Sequence, residues 1–213
     1  MKEIFRKHGY LWSHRQFLSQ VAVGIFFLVV AISATYYANV YSTIRASNSV
    51  TDIILDNLPV VKVDFVFNEG ALIFIAFIVG VLFYKPHAIP FVLKSVALFF
   101  ITRSIFVTLT HLASPISGLS TDTTDLIYKI SSGDDLFFSA HTGFPFLMAI
   151  IFWENKFLRY VFLLMTLIGG GGVLLGHLHY SIDVFSALFI SFGIFHIAKE
   201  AFRKDYALFG EDV

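Results

Sequence analysis

Cysteine is absent from this chain, and charged side chains are scarce. Without cysteine there can be no disulfide, no thiolate nucleophile and no cysteine-ligated metal site. Charged residues make up only 14% of the sequence, whereas globular proteins carry about 25%. The formal net charge is zero, so the charge balance gives no reason to expect a nucleic-acid partner. Together these absences exclude a disulfide-stabilised domain and argue against a soluble one.

Apolar residues dominate the chain instead. They make up 57% of the 213 residues, 26 of which are phenylalanine, and the mean hydropathy is +0.77. Stretches of about 20 apolar residues are long enough to cross a bilayer. Six such stretches lie at approximately 17–42, 69–84, 88–112, 137–153, 160–177 and 180–199. The sequence therefore predicts an all-α, polytopic membrane protein built as a six-transmembrane-helix bundle.

The flanks of these stretches predict the domain organisation and the sidedness. Segment 1–16 is basic and amphipathic, which is typical of an interfacial helix. It precedes a six-span catalytic domain at 17–199 and a tail at 200–213. Most Lys and Arg residues fall on the side of the predicted bundle that holds both termini. By the positive-inside rule both termini are then cytoplasmic, and the active site lies on the non-cytoplasmic face.

A histidine and an aspartate begin the last apolar stretch. His179 and Asp183 are four residues apart, a spacing that places both on one face of a helix. The carboxylate could accept the proton of one ring nitrogen and leave the other nitrogen to attack an electrophile. An ionisable group inside a membrane costs about 2.5–3.5 kcal/mol on insertion scales, so a functional role is the default hypothesis. The alternative is a purely structural hydrogen bond.

Further polar residues begin or interrupt other apolar stretches. Ser139 and His141 stand at the start of one, where backbone N–H groups and the helix dipole favour an anion. A protonated His141 could donate to a leaving alkoxide, and Arg103 adds a fixed positive charge for an anionic head group. Alternatively, Ser139 caps a helix, His141 reaches to the interface and Arg103 neutralises Asp183.

Two more features have structural interpretations. Lys94 lies near the predicted cytoplasmic end of its stretch, and we expect its ammonium to reach towards the interface. The run Gly169–Gly172 is not followed by the Lys-Ser/Thr of a phosphate loop. We therefore expect it to allow close helix packing.

Three motifs carry a family resemblance. The stretch from His179 to Val184, HYSIDV, resembles the His-Tyr-Thr/Ser-x-Asp-Val motif of the sphingomyelin synthase family. The stretch from Gly133 to Thr142 resembles that family's Cys-Gly-Asp…Ser-Gly-His-Thr motif, with Ala140 in place of glycine. Arg103 with the threonines that follow it is similar to the Tyr-Arg…Thr motif. The family belongs to the type 2 phosphatidic acid phosphatase superfamily.

The resemblance implies roles for six residues. His179 would be the nucleophile that forms a phosphohistidine, Asp183 would orient it, and His141 would be the general acid. The implied substrate-binding residues are Arg103, Ser139 and Asp134, and Tyr180, inside the first of these motifs, is a further predicted substrate-binding residue. The superfamily's phosphatase branch has an arginine where this chain has Val173, and this difference favours the transferase branch.

The sequence thus predicts a metal-independent and cofactor-free membrane lipid phosphotransferase. It would move a phospho-head-group from a phospholipid to a lipid hydroxyl, such as that of a ceramide-like lipid or diacylglycerol. The alternative enzyme is a lipid phosphate phosphatase that uses water as acceptor. Two other hypotheses are a haem-binding bundle, because paired histidines ligate haem, and a proton-coupled transporter. The expected partners are the lipid bilayer and its lipids, with no nucleic acid, and a homo-oligomer stays open.

Overall fold

Helices account for the regular secondary structure that a computed structural model describes in residues 2–115 and 136–210. The α-helices are α1 (Lys2–Trp12), α2 (Arg15–Arg45), α3 (Asp64–Tyr84), α4 (Ile89–Leu109), α5 (Ala140–Ile151), α6 (Lys156–Leu175), α7 (Ser181–Ala201) and α8 (Arg203–Gly210). Short 3₁₀ turns lie at Leu55–Asn57 and Pro86–Ala88. The all-α prediction is confirmed.

The lengths of the helices show which of them can cross a membrane. Four helical segments are long and apolar enough: α2, Pro86–Leu109, α6 and α7. The apolar part of α3, Glu69–Tyr84, and the whole of α5 are shorter. At 1.5 Å per residue, α5 is about 18 Å long, which is less than the hydrocarbon core of about 30 Å. These four helices identify the chain as an integral membrane protein. The predicted number of six transmembrane helices stays a prediction.

Helix α5 is shorter than the predicted span at 137–153. It begins only at Ala140, because Phe137 and Phe138 have φ angles of 149° and 38°, which no α-helix contains. Ser139, with extended backbone, is the residue that precedes the helix. Phe138 and Ser139 are fully buried, so the amino end of α5 lies inside the bundle.

Phenylalanine fills much of the core, and apolar side chains also cover the outside. The rings of Phe91, Phe99, Phe138 and Phe162 are fully buried between the helices. Conversely, the exposed fraction of Phe189 is 79%. Apolar residues on both sides of a helix are expected where its outer surface meets lipid rather than water.

The two ends of the bundle are built differently. At one end, which we call the site end, segment 46–63 packs over the corner between α6 and α7. Segment 110–115 pairs with it through a bond from the Ser47 N–H to the His111 carbonyl oxygen. At the other end α8 folds back against the Pro86–Ala88 turn and α4. The tail predicted at 200–213 is thus partly a packed helix.

Lys94 does not reach towards the interface as expected. Its Nζ atom lies 2.5 Å from Oδ2 of Asp205, and the two side chains are only 8% and 4% exposed. The ring of Phe202 also lies beside the ammonium, 5.7 Å from Nζ to the ring centroid. The expectation was wrong because α8 folds back onto α4 and covers the ammonium with a carboxylate.

We expect Lys94→Met to destabilise the protein, because it leaves the Asp205 carboxylate buried without its cation. Breaking a buried pair from one side typically costs about 3–5 kcal/mol, whereas replacing both partners with apolar residues is often neutral. Thermal unfolding in detergent should therefore show a loss for Lys94→Met and recovery in Lys94→Met/Asp205→Leu. Lys204→Met, at an exposed position on α8, is the matched control. Equal stability of the single variant and wild type would contradict this account.

Candidate active site

The pair His179 and Asp183 is formed, but in a different way from the prediction. Nδ1 of His179 lies 3.2 Å from Oδ2 of Asp183, and the residues are 4% and 0% exposed. Helix α7 begins at Ser181, so His179 precedes the helix rather than lying on its face. Asp183 reaches back over the helix start, and the same Oδ2 accepts the Tyr180 N–H at 3.1 Å. An acidic residue in the first turn is a favourable cap for a helix amino terminus.

This geometry assigns the tautomer of His179. The carboxylate of Asp183 can only accept, so the hydrogen on the imidazole lies on Nδ1. The lone pair is then on Nε2, the atom that a nucleophilic histidine needs. A positive charge on the ring would be stabilised by the same carboxylate.

The turn between α6 and α7 brings His179 to this position. The Leu178 N–H donates to the Val173 carbonyl and the His177 N–H to the Leu174 carbonyl. His177 has a φ of 51°. These bonds form a Schellman motif, the common way in which a helix ends on a left-handed residue. The reversal is therefore specified locally, and it directs the chain into the start of α7.

The amino end of α5 meets the amino end of α7. The Ser139 N–H donates to the Asp183 carbonyl oxygen at 3.0 Å. Nε of Arg103 donates to the Phe138 carbonyl oxygen at 3.3 Å, which places this buried guanidinium beside the same turn. The Ser139 hydroxyl is buried and has no hydrogen-bond partner among residues 2–115 and 136–210. It can therefore donate to an anion.

Two glycines of α6 allow this meeting. A Cβ atom on Gly169 would overlap the carbonyl oxygen of His141, and one on Gly170 would lie 3.2 Å from Oγ1 of Thr142 and 3.3 Å from Cγ1 of Val184. The backbone of α6 is thus in direct contact with the first turn of α5. The prediction that the glycine run serves close helix packing is confirmed.

One comparison with known proteins gives a match. The family model described as PAP2 superfamily C-terminal matches residues 133–200. The match supports the type 2 phosphatidic acid phosphatase superfamily. It covers the two polar helix starts and the glycine run, and it supports a lipid phosphatase or phosphotransferase type of activity in general. No curated protein and no solved structure matches the chain.

The structure brings together most of the residues whose motifs resemble those of the superfamily. Arg103, Ser139, His179 and Asp183 are connected through the backbone at 138–139, and His141 lies half-buried in the first turn of α5. Among the residues that the structure describes, Arg103 and Asp183 form no direct ion pair. The predicted substrate-binding residue Asp134 lies outside those residues. The catalytic and substrate-binding roles stay predictions.

Tyr180 makes contacts that the sequence did not indicate. Its hydroxyl donates to the Ala113 carbonyl oxygen at 2.9 Å and accepts the Val50 N–H at 3.1 Å. The ring is fully buried in an apolar cluster with Leu55 and Leu136. In this arrangement Tyr180 ties two loop segments to the start of α7.

Asp52 is the residue at this end that sequence reasoning missed. Its carboxylate accepts the N–H groups of Ser181, Ile54 and Leu55. Burial pushes the pKa of this carboxyl up, but the hydrogen bonds from Ser181, Leu55 and Ile54 outweigh burial, so the pKa lies below its ordinary value of 3.8. The sequence offered only an acidic residue in a polar loop.

No group of three or more His, Asp or Glu side chains in residues 2–115 and 136–210 is arranged to hold a metal ion. The chemistry that these residues themselves offer is that of a histidine nucleophile with a carboxylate partner. Nearby lie a guanidinium, an unpaired buried hydroxyl and a second histidine.

We expect Gly169→Ala to lower both stability and activity, because the added methyl group would overlap the His141 backbone and push α6 away from α5. Overpacking of this kind costs about 1–3 kcal/mol. Gly171→Ala is the matched control, since a Cβ there meets no atom within 4 Å. Thermal unfolding and lipid turnover should separate the two variants. If both behave alike, the contact between α6 and His141 is not as tight as described.

Proposed function

We propose that this protein is a membrane lipid phosphotransferase that works through a phosphohistidine on His179. In the sphingomyelin synthase-like manner, it would move a phospho-head-group from a phospholipid to the hydroxyl of a second lipid. The observation that carries the proposal is the buried hydrogen bond between Nδ1 of His179 and Oδ2 of Asp183. It lies where the starts of two apolar helices meet beside Arg103.

The first half of the reaction would form the covalent intermediate. The donor's phosphate would lie between Arg103 and the amino end of α5, with the Ser139 hydroxyl as a further donor. Nε2 of His179 attacks phosphorus, and the bond from phosphorus to the diacylglycerol oxygen breaks. His141 gives its proton to that oxygen, and Asp183 stabilises the positive imidazole ring. Fixed donors and cations of this type stabilise charge that develops in a phosphoryl transition state without a metal ion.

The second half would transfer the group to an acceptor. A lipid hydroxyl attacks phosphorus as the bond to Nε2 of His179 breaks. His141, now neutral, takes the hydroxyl proton and returns to its starting protonation state. One histidine thus serves as acid in the first half and as base in the second.

Burial supports a lipid acceptor over water. The exposed fraction is at most 4% for each of His179, Ser139 and Asp183. Segment 46–63 is hydrogen-bonded across the α6–α7 corner. An enclosed site protects a reactive intermediate from hydrolysis. Val173 in place of the arginine of the phosphatase branch agrees with transfer. A lipid phosphate phosphatase, which would share the first half-reaction, is the alternative.

The sidedness is part of the same proposal. We infer that the site end faces the non-cytoplasmic side and that both termini are cytoplasmic. Lys85, Lys156, Arg159 and Lys204 all lie at the opposite end of the bundle, where the positive-inside rule expects cytoplasmic residues.

Phospholipid labelled on phosphorus should leave acid-labile, base-stable label on the wild-type protein and none on His179→Ala. Asp183→Asn should lower turnover by about a thousandfold or more, because loss of the carboxylate that orients a catalytic histidine has an effect of that order in Ser-His-Asp enzymes. His196→Ala is the control, because this exposed histidine lies at the far end of α7. Mass spectrometry of the labelled peptide identifies the residue. Undiminished label on His179→Ala would rule out this nucleophile.

The acceptor can be identified in vesicles that contain the purified protein. Labelled phosphatidylcholine, phosphatidylethanolamine and phosphatidic acid are supplied in turn, with and without ceramide or diacylglycerol. We expect a new phospholipid that depends on the added hydroxyl lipid, detected by thin-layer chromatography. Release of water-soluble phosphocholine or inorganic phosphate, unchanged by the acceptor, would establish hydrolysis instead. His179→Ala should form neither kind of product.

A further inference from the structure

Asp52 binds the start of the helix on which the proposed catalytic pair is mounted. Its Oδ2 accepts the Ser181 N–H at 2.6 Å, across 129 residues of sequence. Its Oδ1 accepts the N–H groups of Ile54 and Leu55 at 2.9 and 3.2 Å. The residue is 9% exposed. Both carboxylate oxygens are therefore engaged, one within segment 46–63 and one on α7.

Two different carboxylates accept the N–H groups at the start of α7. The Tyr180 N–H goes to Asp183, and the next one along the chain, that of Ser181, goes to Asp52. These groups have no acceptor within the helix, so a side chain has to supply one. Asp183 is a local cap, whereas Asp52 is a cap that comes from another segment. Two residues before Ser181 lies His179.

Segment 46–63 fixes the chain on both sides of His179. Before it, the Val61 N–H donates to the Leu175 carbonyl at 2.8 Å, and Nε2 of His177 lies 3.2 Å from the Leu58 carbonyl oxygen. After it, the Tyr180 hydroxyl and the Ser181 N–H bind Val50 and Asp52. Hydrogen bonds from one segment thus hold the chain both before and after His179.

We propose that Asp52 is a positioning residue, which holds the α7 start so that His179 and Asp183 keep their mutual geometry. The inference rests on the proposed function, because it assigns Asp52 a task in that reaction. Asp52 touches neither imidazole nor carboxylate of the pair in the described contacts, so it acts through the backbone at Tyr180 and Ser181. A displacement of about 1 Å at a reacting group can lower a rate by about a hundredfold.

The kinetic test compares three variants of the full chain in lipid nanodiscs. Asp52→Ala removes the acceptor for the Ser181 N–H, and we expect kcat to fall between about tenfold and about a hundredfold with KM within about threefold. Asp52→Asn keeps a carbonyl oxygen that can accept the same N–H, so it should recover part of the loss. Asp56→Asn, an exposed acid in the same segment, should match wild type. A wild-type kcat for Asp52→Ala, or a loss confined to KM, would overturn the proposal.

A second measurement does not depend on activity. Hydrogen–deuterium exchange of the same nanodisc samples should show faster exchange for Asp52→Ala in the peptide around residues 176–186. Peptides from α8, at the other end of the bundle, should be unchanged. Unchanged exchange around residues 176–186 would overturn the proposal that Asp52 holds the start of α7. A uniform rise along the whole chain in both Asp52 variants would assign Asp52 to general folding and would also overturn it.

The two experiments keep the proposals distinguishable. If wild type and His179→Ala are equally inactive towards every lipid supplied, the proposed function fails. The exchange pattern then decides by itself whether Asp52 holds the α7 start. If wild type is active and Asp52→Ala retains full kcat, the proposed function stands and only the positioning role is lost.

Discussion

The residue on which the site depends is Asp183, because its side chain and backbone bind three parts of the chain at once. One carboxylate oxygen accepts from the His179 ring and from the Tyr180 N–H, and the backbone carbonyl accepts the Ser139 N–H. In a buried, low-dielectric site such bonds are stronger than in water, and an unmade one is more costly. A change at this carboxylate therefore alters the helix start, the orientation of the imidazole and the approach of α5 together.

A membrane setting explains why both ends of the bundle carry a buried acid with a defined partner. Oδ2 of Asp183 accepts from a histidine and a helix N–H, and Oδ2 of Asp205 binds Lys94. Without a partner, either carboxylate would be very unfavourable in an apolar interior. The two arrangements differ in what they leave available. The Lys94 ammonium is engaged in its ion pair. The hydrogen bond between Nδ1 of His179 and Asp183, in contrast, leaves Nε2 of the ring with its lone pair.

The sequence predicted the parts of this site that depend on local spacing. The spacing of four residues predicted that His179 and Asp183 pair, though on a helix face rather than across a helix start, and a glycine run predicted the close contact of α6 with α5. It did not predict contacts between distant segments, such as the bond from Asp52 to Ser181 across 129 residues. Nor could apolar periodicity show that α5 begins late, because Phe137 and Phe138 are apolar and only their φ angles exclude a helix.

The way in which segment 46–63 binds the α6–α7 corner also bears on the acceptor of the proposed reaction. A phosphohistidine reacts with whichever hydroxyl reaches phosphorus, so the outcome depends on which molecules can approach. The segment is bonded to the chain on both sides of His179, at Leu175 and at Ser181. It covers that corner at the site end, and apolar faces of the helices border the bundle laterally. In the proposed reaction, a cover of this kind would hinder water at the corner more than a lipid that diffuses in the plane of the membrane. The same loop contacts that hold His179 in place therefore support the proposal of transfer rather than hydrolysis.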